Sequence, residues 1–255
     1  MTTDIGSMTA ARLSAAFVAK EISPVEATAA ALDRIRRHNG AVNAYCVVDE
    51  AGAREAALAS ERRWLKDEPL SPIDGVPCSI KDLTMVAGLP LRKGSHTTGS
   101  APSAADAPFA RRMREAGAVI LGKTTTPEFG WKGVTDSPLT GITRNPWNTA
   151  RTSGGSSGGA AAAAALNLGV LHQGSDAGGS IRIPCGFCGV FGIKPSFGWV
   201  PQWPASAMTT LSHLGPITRT VRDSAMMLNA VARPDGRDSY AATGFPGDWT
   251  AFLDR

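Results

Sequence analysis

Two loops rich in glycine and serine carry side chains suited to acyl transfer. They are Ser153-Gly154-Gly155-Ser156-Ser157-Gly158-Gly159 and Gly174-Ser175-Asp176-Ala177-Gly178-Gly179-Ser180. Such chemistry needs a nucleophile, a base, and donors for the oxyanion that develops. Ser180 offers the hydroxyl, and glycines at 178 and 179 permit a tight turn whose successive N–H groups face one cavity. Upstream, Gly75-Val76-Pro77-Cys78-Ser79-Ile80-Lys81-Asp82 sets a lysine at the end of an apolar stretch. Lys81 can act as a base where burial keeps it neutral; the alternative is an ordinary ion pair with Asp82 or another acid. His38, His96, His172 and His213 sit in no motif that ties them to a serine. Two serines and a lysine make a hydrolytic set that needs no imidazole.

The elements around these loops explain how they would meet. A small-residue helix over 160–168 and a short strand over 169–173 lie between them, which brings both loops to one end of a sheet. Residues 76–80 and 118–122 read as apolar strands, 108–116 as a helix between them, 190–194 as a further strand and 220–232 as a last helix. Residues 124–150 are loop-rich, punctuated by Pro127, Pro138, Gly141 and Pro146. The first seventy residues read as helical. Ser23, Pro24 and Glu26 form a capping box, Val25, Ala29, Leu32 and Ile35 mark an apolar face, and Asn39-Gly40 reads as the helix end. A second amphipathic helix covers 50–66. Alternating β and α elements with no repeat and no dividing linker indicate an α/β chain, one domain over 1–255.

Bulk properties exclude several classes. The 255 residues, 43% hydrophobic and 19% charged, fit a globular protein with a substantial core. The net charge is +4, and basic residues cluster at Arg34, Arg36 and Arg37, at Arg62 and Arg63, and at Arg111, Arg112 and Arg114. Each cluster lies in a helix-like stretch without interleaved aromatics, so solvated faces are expected and a nucleic-acid partner is not. The amino terminus lacks a basic segment followed by an apolar one, and the longest apolar run, 160–166, is too short to cross a bilayer. A cytoplasmic protein without a membrane partner is the expectation. Cys46, Cys78, Cys185 and Cys188 form no disulfide framework. The spacing of Cys185 and Cys188 lacks a second ligand pair, so buried thiols are expected and no metal.

Together the motifs resemble the amidase signature family. The matching stretches are 75–82, 122–129, 143–147, 154–159, 174–182, 187–196 and 215–223, in order and across the chain. The resemblance implies an α/β fold with a mixed sheet core flanked by helices and a helical N-terminal segment. It implies a Ser–cis-Ser–Lys triad: Ser180 as nucleophile, Ser156 as the bridging serine after a cis Gly155–Ser156 bond, and Lys81 as base. By the same resemblance the backbone amides of Ala177, Gly178, Gly179 and Ser180 form the oxyanion hole, and Ser153 and Ser157 are hydrogen-bond partners for Lys81 and Ser156. Asp176 either orients the second loop or caps a turn, and Arg182 either holds a substrate carboxylate or pairs with Asp176. The implied substrate is a small-molecule carboxylic amide, with no cofactor, and a homodimer or a partner subunit is compatible.

Enzymes of that family are considerably longer than 255 residues, so the fold is expected to be incomplete. Residues 248–255 read as the helix or linker before a carboxy-terminal half, and activity of the isolated chain is in question. Three other readings compete. Gly154-Gly155-Ser156-Ser157-Gly158 satisfies the nucleophile-elbow spacing of an α/β-hydrolase, but that elbow needs a strand directly before its serine, and 145–151 makes a poor one. Glycine loops beside helices can also cradle phosphates, although neither loop holds the Gly-Lys-Ser/Thr of a P-loop. The third is a chain that works only with partners, such as the amidase component of a glutamine-dependent tRNA amidotransferase complex, or an inactive fragment.

Overall fold

The protein's structure, a computed structural model, describes residues 4–244, 247–251 and 253. Residues 1–3 of the amino-terminal stretch, and 252, 254 and 255 of the stretch read as helix or linker, lie outside the described residues. Within that second stretch, 249–251 form a turn.

Helix boundaries follow the capping residues. Thr9 accepts from the Arg12 amide and opens α1 (Ala10–Val18). Ser23 and Glu26 close the expected capping box on α2 (Pro24–Val42). The expected end at Asn39-Gly40 is overrun. The Asn39 side chain reaches forward to accept from the amides of Ala44 and Tyr45, and Asn43, in the left-handed region at φ 53°, ends the helix instead. The next segment, β1 (Tyr45–Val48), corrects the expectation that this region is helical throughout. There follow α3 (Glu50–Leu65), β2 (Pro77–Lys81), α4 (Pro108–Glu115) and β3 (Val119–Thr124).

The loop-rich stretch holds two small hairpins, β4 (Asp136–Ser137) with β5 (Gly141–Ile142) and β6 (Arg144–Asn145) with β7 (Asn148–Thr152). After them come α5 (Gly158–Ala165), β8 (Leu171–Asp176), α6 (Arg182–Cys188), β9 (Phe191–Gly192), β10 (His213–Thr218) and α7 (Val221–Val231). The strand expected over 190–194 shrinks to the two residues of β9.

Six strands form one mixed sheet in the order β1-β3-β2-β8-β10-β9. Its centre, β3-β2-β8, is parallel, and the flanking pairs are antiparallel. Side chains alternate across it: Ile120 joins the cluster built on α1, α4 and α7, whereas Val119 and Leu121 join the cluster built on α2, α3 and α5. Helices therefore cover both faces, as expected of an α/β chain. The parallel strands set the ends of β2 and β8 side by side, with Ser79 opposite His172. Catalytic and binding groups gather at such carboxyl ends.

The arginine clusters are less uniform than a solvated face. Arg63 grips the fully buried Asp74 with two hydrogen bonds of 2.7 and 2.6 Å, and Arg111 meets the buried Asp235 at 2.7 Å. These guanidiniums tie helices to loops, while Arg36 and Arg37 pair on the exposed surface.

Candidate active site

Lys81 ends β2 and is fully buried. Its Nζ lies 2.7 Å from Ser156 Oγ, 2.9 Å from Ser157 Oγ and 2.9 Å from Ser175 Oγ. Among the described residues no acid pairs with it, because the neighbouring Asp82 is taken by Lys123 at 2.9 Å, both side chains buried. Burial drives the Lys81 pKa well below its ordinary value, and the more distant charge of Asp176 opposes this only in part. A hydrogen count then orders the contacts. A neutral amine has two N–H donors and one lone pair. The Ser157 hydroxyl donates to the Ser175 carbonyl at 3.2 Å, so it accepts from Lys81. Of the remaining two hydroxyls, one accepts and one donates its proton to the amine.

The loop that carries Ser156 is held from several sides. The Gly155–Ser156 peptide bond is cis. Thr135 Oγ1 donates to the Gly154 carbonyl at 2.9 Å and accepts from the Gly158 amide at 3.0 Å. Ser157 donates its amide to the Ser180 carbonyl at 3.1 Å, which fastens one glycine loop to the other. A Cβ on Gly155 would sit 2.5 Å from the Val134 carbonyl carbon, so only glycine fits beside that backbone.

Asp176 ends β8 and organises the second loop. Its carboxylate accepts from the amides of Gly179, Ile181 and Arg182 at 2.7, 3.2 and 3.4 Å, and from Arg182 Nε and Nη2 at 2.9 and 3.0 Å. Burial alone would raise its pKa, but Arg182 and the three amides outweigh it and bring it to about 2. Asp176 thus both caps the turn at Gly179 and ties down the loop that follows, and Arg182 pairs with it. The amide of Gly179, one of four expected in the oxyanion hole, is committed to this carboxylate. Those of Ala177, Gly178 and Ser180 are not among its donors.

Ser180 is half-buried and lines one cavity with Ser156 and Ser175. Its hydroxyl is not hydrogen-bonded to Ser156. Ser153, expected as a partner of Lys81 or Ser156, instead donates to the carbonyls of Thr143 and Gly154 at 3.2 Å each. Ser175 and Thr135 escaped the sequence reading. Ser175 lies inside the second glycine loop, but only the pairing of β8 beside β2 reveals that it reaches the lysine.

The elbow geometry of an α/β-hydrolase is absent: β7 lies outside the six-stranded sheet and ends at Thr152, four residues before Ser156. Two of the four histidines are occupied elsewhere, His172 with Ser79 and His213 with the Leu211 and Asp176 carbonyls. Burial raises the thiols of Cys78, Cys185 and Cys188 to about 12, so they stay protonated. Among the described residues no cluster of three or more His, Cys, Asp or Glu is arranged to hold a metal, and no helix is long and apolar enough to cross a membrane.

The family profile described as Amidase matches residues 26–251. An acylamidase of Rhodococcus erythropolis is 42% identical over 232 residues, which is 91% of this chain and 49% of that protein. A glutamyl-tRNA(Gln) amidotransferase subunit of Desulforapulum autotrophicum is 39% identical over 237 residues, 92% of this chain and 48% of that one. Among solved structures, a bacterial aryl acylamidase of the amidase signature (AS) enzymes superposes with a TM-score of 0.87 at 34% identity, over 95% of this chain and 51% of that one. The chain spans about half the length of these relatives.

Proposed function

The chain belongs to the amidase family, and from that premise we propose that it carries the acyl-transfer centre of an enzyme hydrolysing a carboxylic amide to a carboxylate and ammonia or an amine. One observation carries the reading: a fully buried lysine amine whose hydrogen-bond partners at Nζ, among the described residues, are three serine hydroxyls. An ammonium there would lack any carboxylate partner, whereas a free amine has a lone pair to receive a proton.

In this reading Ser156 is the hydroxyl that donates to Lys81, and Ser157 and Ser175 are the two that accept. Substrate binding brings Ser180 into the relay, since catalytic hydrogen bonds often tighten only in the complex. Lys81 takes the proton of Ser156 as Ser156 takes that of Ser180. Ser180 Oγ bonds to the amide carbon, and the carbonyl electrons move to oxygen. The oxyanion receives the amides of Ala177, Gly178 and Ser180, each worth about 3 kcal/mol in such sites. Collapse breaks the C–N bond, and the leaving nitrogen takes the proton back along the same path. Water then attacks the ester in the reverse sense and frees Ser180.

The likeness to a glutamyl-tRNA(Gln) amidotransferase subunit favours a second reading, in which this centre works inside a complex. Hydrolysis of simple amides by the chain alone supports the first reading; turnover only with co-purified subunits supports the second. Both share one test. A fluorophosphonate probe followed by peptide mass spectrometry should place the adduct on Ser180, and Ser180→Ala should remove it. An adduct on Ser156 with Ser180 unmodified would sink the assignment.

A further inference from the structure

The cavity that opens on Ser156, Ser175 and Ser180 holds about 210 Å³. Leu83, Met85, Trp203 and Met208 line it beside the uncharged polar Thr84, Gln202, Ser206 and Ser212, and Phe129 and Trp131 line it while remaining 48% and 72% exposed. The aromatic pair is set there by the glycine between them. Gly130, at φ +72°, brings its backbone so close that an added Cβ would lie 2.7 Å from Leu83 Cδ1 and 3.4 Å from Ser156 Oγ. The segment therefore passes close to the Ser156 hydroxyl, and Phe129 and Trp131, which flank Gly130 in sequence, both line the cavity.

Charge in the lining is one-sided. No Asp or Glu lines the cavity among the described residues, and its single charged side chain is Lys93. Arg182 is turned away into its pair with Asp176. An ammonium group entering this space would give up water without gaining a carboxylate, and Lys93 would repel it. An uncharged alkyl or aryl group gains by leaving water, and the two aromatic rings can stack on it.

We propose that this cavity accepts the acyl part of an uncharged amide with an alkyl or aryl group, selected by Phe129 and Trp131, and rejects amides that bear an ammonium group near the carbonyl. The proposal rests on the acyl-transfer reading above and narrows its substrate class.

Two sulfonyl fluorides of opposite character separate the possibilities: phenylmethanesulfonyl fluoride, apolar, and 2-aminoethanesulfonyl fluoride, cationic. Each reacts as Ser180 Oγ bonds to sulfur, the S–F bond breaks, fluoride leaves and the hydroxyl proton passes to Lys81. Rates on the full chain are divided by each probe's own hydrolysis rate in buffer. The expected result is an adduct on Ser180 that forms on the order of 30-fold faster with the apolar probe, and a ratio that falls about fivefold in Trp131→Ala. Equal normalised rates, or a faster cationic probe, with the adduct still on Ser180, would overturn the pocket assignment alone. An unchanged ratio in Trp131→Ala would remove Trp131 as a selecting residue. No adduct on Ser180 from either probe would overturn the acyl-transfer reading and this proposal with it.

Discussion

At the scale of single residues, the site turns on how many protons surround one nitrogen. Lys81 sits among three hydroxyls, and the hydrogen count permits Ser156 to donate only while the amine stays uncharged. The pH dependence has a definite sign. Protonation of Lys81 removes the lone pair, so probe labelling of Ser180 should fall as pH drops and reach its plateau well below the usual lysine range. A labelling profile that inflects near the ordinary lysine pKa would contradict this. Lys81→Met keeps the length and apolar stem but lacks the amine, and on the proposed relay labelling should fall by at least about 100-fold. Ser175→Ala deletes one acceptor of a lysine N–H; the loss of about 1.4 kcal/mol in positioning should slow labelling about tenfold. Ser175→Thr, which keeps the hydroxyl, should restore most of the rate. Equal rates in wild type and Ser175→Ala would show that this contact only fills space.

At the scale of elements, two glycines in helices make opposite predictions from one substitution. Gly40 lies in α2 with nothing within 4 Å of an added Cβ. Gly40→Ala should stabilise the protein by about 0.5–1 kcal/mol through helix propensity alone. Gly159 lies in the first turn of α5, where an added Cβ would fall 2.5 Å from the Ala44 carbonyl oxygen and the Thr125 amide. Backbone cannot yield as a side chain does, so Gly159→Ala should destabilise by about 2–4 kcal/mol. Urea midpoints of the two variants check both signs; a stabilised Gly159→Ala would show that α5 is not pressed against that backbone. This close approach is what the alanine run over 160–165 permits, and it was legible in the sequence. So were the capping box of α2 and the order of loops about α5 and β8. Lys81, Ser156 and Ser180 stood out because glycines and an apolar strand flank them. Other features were hidden for physical reasons. Strand β10 contains Gly215 and Pro216, both poor strand formers, and is held by its pairing with β8. Asn39 looked like a helix end because Asn-Gly usually is one, yet its side chain is spent on the start of β1. The commitment of the Gly179 amide to Asp176 depends on the fold of the turn, and spacing alone cannot show which way an N–H points.

At the scale of the whole molecule, a buried histidine outside the candidate site adds to the sensitivity of the fold to acid. His172 is fully buried in β8, with Nδ1 2.8 Å from Ser79 Oγ and Nε2 without a partner among the described residues. Burial, reinforced by the charge of Arg219, lowers its pKa to about 3. The unfolded chain takes up a proton on this imidazole near pH 6.5, and the folded chain refuses it until about 3. This imidazole therefore costs no stability above pH 6.5 and costs more as pH falls below it, about 2 kcal/mol at pH 5. The depressed carboxyls act elsewhere. Asp176 and Asp235, each at about 2, contribute stability above the ordinary aspartate range and lose it only as pH falls below about 3.8. Asp223, pushed up mainly by burial, works in the opposite sense and gains stability as pH falls. Lys81 adds a loss that begins on the alkaline side, where the unfolded lysine first takes up its proton. A difference between variants isolates the histidine from all of these. In His172→Asn the side-chain amide can still hydrogen-bond Ser79, as donor or acceptor, and no proton is exchanged on folding. Urea unfolding at pH 7 and pH 5 should show wild type losing about 2 kcal/mol more than the variant across that interval. Equal losses in the two proteins would mean that the buried imidazole is reached by water and titrates near its ordinary value.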